Sequence, residues 1–542
     1  MKAKNNRIYI DQWLEIKPYD KQVITDAYYL KISNEVKQSI LKSEYSLMLS
    51  LYYDEDDIGD LACFLTSYFE DLISGTQIWN SFVRLHKKHY GKPLPFFETD
   101  EYYEEEINQS DICFLIWYYT NTFQNKKFVS PNNDFIYHLA AIIMDIFDRE
   151  WEYAPENESL RIYYQIDPNE TDYYIVRHVI DNMLFKTYLF YSDTGLDLNE
   201  ALMEVAEEFS NDQNLLGYFN ETRDVHLHTS HTRLLALPGK EWVAQLLGKE
   251  HPLCHELKNM SKRILGYFLY KGQDQNYIHL EHIASGKRFN VTKKSLEHPE
   301  DFKKVDRIIF MGIVKWMNEW WFSGLMMQSK YNPDLILDEK NSIISRKQVD
   351  FLDYGKNKMN ELLQQQLTIF KKYNKNRQIA FIKGEELDAF LKGYYEFYNQ
   401  SLNLTKEDKA EARQRAKDEG YLGENGQKFD ISEKPEDVLV FFNPKSGVEI
   451  AFGVNSAFPD KDNPFFNENE TEDSIMTIFF NEQISKELAK YCVENYGNYL
   501  EFFKSKEGEF FQSNLDFLLR FFKKENYHTT PAITLTGQQR LD

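Results

Sequence analysis

The stretch Gly266-Tyr267-Phe268-Leu269-Tyr270, followed by Tyr277–Ile283, Lys287–Thr292, Arg307–Trp316 and Trp320–Leu325, decides how this chain is read. Each segment is short and rich in aromatic and β-branched residues, the side chains that suit a pleated, half-buried surface. Gly272-Gln273-Asp274 and Ser285-Gly286 separate them with turn chemistry. Five strands this closely spaced leave no room for helical crossovers. The spacing predicts a small β-barrel, SH3-like or OB-like, over residues 261–335.

On the N-terminal side the hydrophobic period is helical. Ile78, Trp79, Phe82, Val83 and Leu85 share one face, with Thr76 as the expected cap and Gly91 and Pro93 as the stop. Ser110 or Asp111 is expected to open a second helix, whose run Cys113–Tyr119 is apolar all round and so central. Asp134 opens a third, with Ile136, Leu139, Ala140, Ile143, Met144 and Phe147 at helical spacing. Further helix is expected over Leu198–Phe209. These features predict an acidic helical domain over 1–215 and a helical connector over 216–260.

Beyond the barrel, residues 336–430 read as a helical segment, with Thr405 and Asp408 as a capping box and Gly420 as a stop. Residues 431–542 read as a mixed α+β domain, in which Val438–Phe442 and Val448–Val454 form a hairpin and Ser485 caps a helix. The fold class is α+β.

Charge follows the same division. Residues 1–220 hold 18 Lys and Arg against 38 Asp and Glu, whereas the remainder holds 45 against 48. Across 262–315 the sign reverses locally, with 11 basic residues against six acids. A net charge of −23 over 542 residues excludes broad nonspecific DNA binding, which needs a cationic surplus to displace counterions. The 36 Tyr and 40 Phe supply ring surface for several cores and exclude wholesale disorder. Cys63, Cys113, Cys254 and Cys492 lie far apart and read as small buried hydrophobes. No apolar run approaches the roughly 20 residues that span a bilayer, so a cytoplasmic protein is expected.

Few motifs carry chemistry. Asp224-Val225-His226-Leu227-His228-Thr229-Ser230-His231 is the strongest, because His226 and His228 on a strand would share one side and His231 would complete a zinc site. The competing reading is a polar segment between helices. Asp54-Glu55-Asp56-Asp57-Ile58-Gly59-Asp60 fails as a calcium loop, since Ile58 lacks an oxygen and Leu65 stands where Glu is needed; a solvated acidic loop is expected. Asp145 and Asp148 read as a wet helix face. Gly420, Gly423 and Gly426 do not make a dinucleotide fingerprint, and no phosphate-binding loop or nucleophile elbow occurs. No cofactor is expected.

The barrel holds the remaining candidates. Trp316, Trp320 and Trp321 stand near Lys315, Arg307, Lys287 and Arg288, a pairing of rings with cations that suits single-stranded RNA or a protein partner. Against this, at least two of the three indoles are expected to fill the barrel core or its contact with the helices. Trp320 and Trp321 are adjacent, so on a regular strand they point to opposite faces and only one belongs in the core.

Tyr19–Val23, Leu61–Asp71, Glu150–Asn157, Gly266–Lys294, Phe441–Pro459 and Asp516–Lys523 resemble stretches of an uncharacterised bacterial family, domain of unknown function 3843. The resemblance implies a cytosolic protein of several parts and transfers no catalytic residue. The expectation is a non-enzymatic binding or adaptor protein that meets a protein or RNA partner through the barrel. The alternative is a metal-dependent hydrolase built on His226, His228 and His231.

Overall fold

The computed structural model describes residues 7–123, 128–342, 345, 349, 356–402, 405, 407, 410 and 436–529. They belong to two compact units, Met1–Asp353 and Tyr354–Asp542.

The first unit begins with helices α1 (Ile10–Leu14), α2 (Asp26–Lys42), α3 (Ser46–Leu49) and α4 (Glu55–Ser74). The acidic run expected as a loop is the start of α4. Asp54 accepts from the backbone of Asp56 and Asp57, and Asp57 returns a carboxylate to the Asp54 N–H, which makes a reciprocal cap. Acids there also meet the positive end of the helix dipole. Helix α5 (Ile78–Tyr90) starts differently from the expectation at Thr76. The carboxylate of Asp71, in the last turn of α4, accepts from the backbone of Ile78 and Trp79, while Thr76 donates its hydroxyl to the same group. A tight turn with Gly75 and Gln77 in left-handed conformation brings the end of α4 to the start of α5, so the cap comes from the previous helix.

Helix α6 (Gln109–Phe123) is buried from Asp111 through Thr122, the central position its all-round apolar run requires. Helix α7 (Asp134–Glu150) buries the face of Ile136, Leu139, Ala140, Ile143 and Phe147 and leaves Asp145 and Asp148 exposed. Helices α8 (Glu158–Ile162), α9 (Tyr173–Phe185) and α10 (Tyr188–Phe190) follow, and the chain widens into a π-helical turn, Tyr191–Gly195. Helices α11 (Leu196–Glu208), α12 (Leu215–Thr229), α13 (Gly239–Leu247) and α14 (Leu253–Asn259) lead to the strands.

Strands β1 (Ile264–Gln273), β2 (Tyr277–His282), β3 (Arg288–Thr292), β4 (Ile308–Trp316) and β5 (Glu319–Ser329) close into a barrel in the order β1-β2-β3-β5-β4. Val291 of β3 pairs in parallel with Trp320 of β5, while the other neighbours are antiparallel. That parallel closure is Greek-key connectivity and selects the OB-like barrel over the SH3-like one. Phe268, Ile278, Leu280, Phe289, Val291 and Ile313 fill the interior. Helix α15 (Pro333–Asn341) places Ile336 against Leu269, Ile283 and Ile308 on the outside.

In the second unit, α16 (Lys356–Tyr373) and α17 (Leu387–Ser401) share a core with the three-stranded sheet β6 (Ile379–Lys383), β7 (Asp437–Asn443) and β8 (Gly447–Ala451). The β7–β8 hairpin matches the expectation, as does Ser485, whose hydroxyl caps α19 (Lys486–Tyr496) after α18 (Thr471–Phe480). Of the helix expected from Thr405 and Asp408 to Gly420, only Thr405, Glu407 and Ala410 are among the described residues. All four cysteines are free and buried. Among the described residues, no helix is long and apolar enough to cross a membrane.

Candidate binding face on the barrel

The barrel docks on the helices through the outer face of β4 and β5. Register places Trp321 opposite Val314, two residues from Trp316, so Val314, Trp316 and Trp321 share one face. Trp316 donates its indole N–H to the carbonyl of Thr171 at 3.1 Å. The Trp321 ring meets Tyr173 and Tyr174 of α9, edge-on to the latter at 5.9 Å. Both indoles are buried. Trp320 points the other way, half-buried at the barrel mouth and edge-on to Phe289 at 4.9 Å. Adjacent strand residues do take opposite faces, but α9 covers the outer one. Both rings are therefore packed, instead of only one.

The cations do not gather round one ring. Arg307 and Lys315 stand at opposite ends of β4, about 26 Å apart for eight extended residues. Lys315 is exposed beside Trp320 across the β4–β5 ladder, whereas Arg307 reaches Gln328 at 3.3 Å. Arg288 is exposed near Glu281 on the neighbouring strand, and Lys287 precedes it in the turn from β2.

The histidine cluster is also dispersed. His226 and His228 lie on α12, and two residues along a helix turn through about 200°, so the side-sharing of a strand is lost. His226 faces the carbonyl of Thr222 at 3.0 Å, and His231 has left the helix to bridge the backbone of Pro238. Nε2 of His228 shares a hydrogen bond of 2.8 Å with the Tyr173 hydroxyl, and burial pushes its pKa down to about 3. Among the described residues, no three His, Cys, Asp or Glu are placed to hold a metal.

His228 belongs to a polar seam that joins barrel to helices. Asp224 receives Arg177 of α9 through Nε at 2.7 Å and the Ser323 hydroxyl of β5 at 2.5 Å. Arg263 bonds both oxygens of Glu221, at 2.8 and 2.6 Å, and Glu221 accepts the Leu325 N–H at 2.8 Å. Buried charges are paired throughout, which is the condition for burying them at all.

The accessible wall is β1–β3. Lys271, His279, Arg288 and Asn290 border a groove of about 500 Å³. Lys271 pairs with Asp306 at 2.9 Å, and His279 contacts Asn290 at 2.8 Å and Asp274 at 3.4 Å. Of these, only Arg288 stood out in the sequence. Strand alternation through Glu281 and His279 opposite Arg288 and Asn290 is the signal for the others.

Residues 7–275 match the model of a family described as Protein of unknown function (DUF3843). Over that stretch the chain belongs to this family. No curated protein and no solved structure matches. The DUF3843 match takes in helices α1–α14 and strand β1, so the seam residues Asp224 and Arg263 lie within it. His279, Arg288 and Asn290 lie beyond it.

Proposed function

We propose a cytoplasmic, non-enzymatic binding or adaptor protein that contacts a protein or RNA partner through its barrel. One observation carries this reading. The outer face of β4 and β5 is spent on the helices, while the outward side chains of β2 and β3 stay accessible around a groove with Lys271, Arg288, His279 and Asn290. In OB-like barrels that face and the β1–β2 and β4–β5 loops take extended ligands, an analogy of fold that supports the RNA arm. Here the β4–β5 turn is flanked by exposed Lys315 and half-buried Trp320, a cation and a ring of the kind that stack and neutralise single strands. Four free, buried thiols fit a reducing compartment.

The test is retrieval of the full chain from native lysate, with bound protein and RNA both identified. The Lys271→Glu/Arg288→Glu variant is expected to lose the partner that wild type retains. An RNA partner is further expected to bind less tightly as salt rises. Retrieval of the same protein and RNA by wild type and variant would overturn the proposal.

A further inference from the structure

A second cleft lies in the helical part, away from the barrel. It is formed by α1, α4, α6 and the π-helical turn, and has about 70 Å³ of space, several times what one water needs. Asp60 of α4 and Glu15, just past the end of α1, supply carboxylates to it, and the rings of Phe64, Tyr119, Tyr188 and Tyr191 line it. The π-turn sets the adjacent Tyr191 and Ser192 on the same cleft, and such widened turns are frequent at functional sites.

The charges do not cancel. Asp60 accepts one hydrogen bond, from the Gln12 amide at 2.7 Å, and the charges that bear on it most are Glu15, Asp57 and Asp56, all acids. Burial pushes its pKa up to about 6, and burial raises Glu15 as well. Of the two lysines nearest the cleft, Lys17 pairs with Glu70, and Lys37 of α2 lies by Gly59 and the Gln12 amide without lining the cleft.

One buried hydroxyl there lacks a partner: the Ser192 oxygen is closed to solvent and makes no hydrogen bond. Tyr119, 3% exposed, lines the same cleft. A buried polar atom left without a partner costs about 1–3 kcal/mol, so one set on a cleft beside an unneutralised carboxylate points to a ligand.

We propose that this cleft binds an organic ammonium group. The N–H donors would reach Asp60, Ser192 and Tyr119, all acceptors, and the aromatic faces would attract the positive charge. Anions are excluded by Asp60 and Glu15, and a bare hydrocarbon would leave the Ser192 hydroxyl unpaired. The ammonium is carried either by a free amine or by a lysine side chain of another protein.

Calorimetry and saturation-transfer NMR on the full chain test this with three probes: methylammonium, spermidine and N-acetyl-lysine amide. Saturable binding by at least one is expected, with spermidine tighter if free amines are the ligand and the lysine amide tighter if a protein supplies it. Asp60→Asn is expected to weaken binding at least about tenfold through loss of the charge-assisted bond. Ser192→Leu, which fills the cleft and keeps both carboxylates, is expected to abolish it. No saturable binding of any probe to wild type would overturn the proposal, as would unchanged affinity in a folded Asp60→Asn or Ser192→Leu protein.

Discussion

The hydroxyl of Ser323, on a barrel strand, donates to the carboxylate of Asp224, on helix α12, at 2.5 Å. The same carboxylate holds Arg177 of α9, so one buried group ties two helices to the barrel. Asp224→Ala would leave Arg177, about a fifth exposed, without its partner. A loss of about 3 kcal/mol is expected, at the low end for a broken buried pair because Arg177 is partly wet. Urea unfolding of wild type and variant measures it.

The fate of the tryptophans sets a second expectation. Trp321→Ala removes a ring locked between β5 and α9 and should cost about 3–5 kcal/mol, whereas half-buried Trp320 should cost less. Equal midpoints for the two variants in thermal unfolding would contradict the docking of β5 on the helices.

The cap of α5 gives a third. Asp71 serves Thr76, two backbone N–H groups and the Tyr188 hydroxyl at 3.0 Å. Asp71→Ala should therefore destabilise by about 2–3 kcal/mol and Thr76→Val by only about 1. The reverse order, read by chemical denaturation, would restore Thr76 as the cap.

Acid stability supplies the fourth. His282 is fully buried in the barrel with Nε2 unpaired, and burial pushes its pKa down to about 4 from an ordinary 6.5. Only the unfolded chain takes up a proton between those values, so this contribution is complete above pH 6.5 and is lost as pH falls toward 4. His86 and His228 are lowered by burial as well and act in the same direction, while Asp60 and Asp111, raised to about 6 and about 7, oppose them. His282→Asn, which can still face the Ser285 hydroxyl, isolates the effect. Wild type should lose about 2–3 kcal/mol more than the variant between pH 7 and 4.

The sequence reading failed in two ways, by a wrong local backbone and by neighbours distant in the chain. The short aromatic and β-branched runs between turns marked all five strands to within a few residues, because strand propensity and turn chemistry act locally. The HxH spacing misled, since it suits a strand only if the backbone is extended, and α12 is helical. Asp71 was overlooked as a cap because it sits seven residues before the N–H group of Ile78. The cleft at Asp60 had no signal at all, being assembled from α1, α4, α6 and a π-turn widely separated in the chain.

By itself the sequence determined the α+β class, the helices of the acidic part and a five-stranded barrel. Each follows from hydrophobic period, turn chemistry or spacing, which act over a few residues. Tertiary structure alone decided the OB-like closure, because pairing Val291 with Trp320 joins residues with a whole strand between them. It also decided which face of the barrel is spent on the helices and which charges are left uncancelled. Burial and Coulomb interactions depend on distance in space, and no spacing along the chain encodes that.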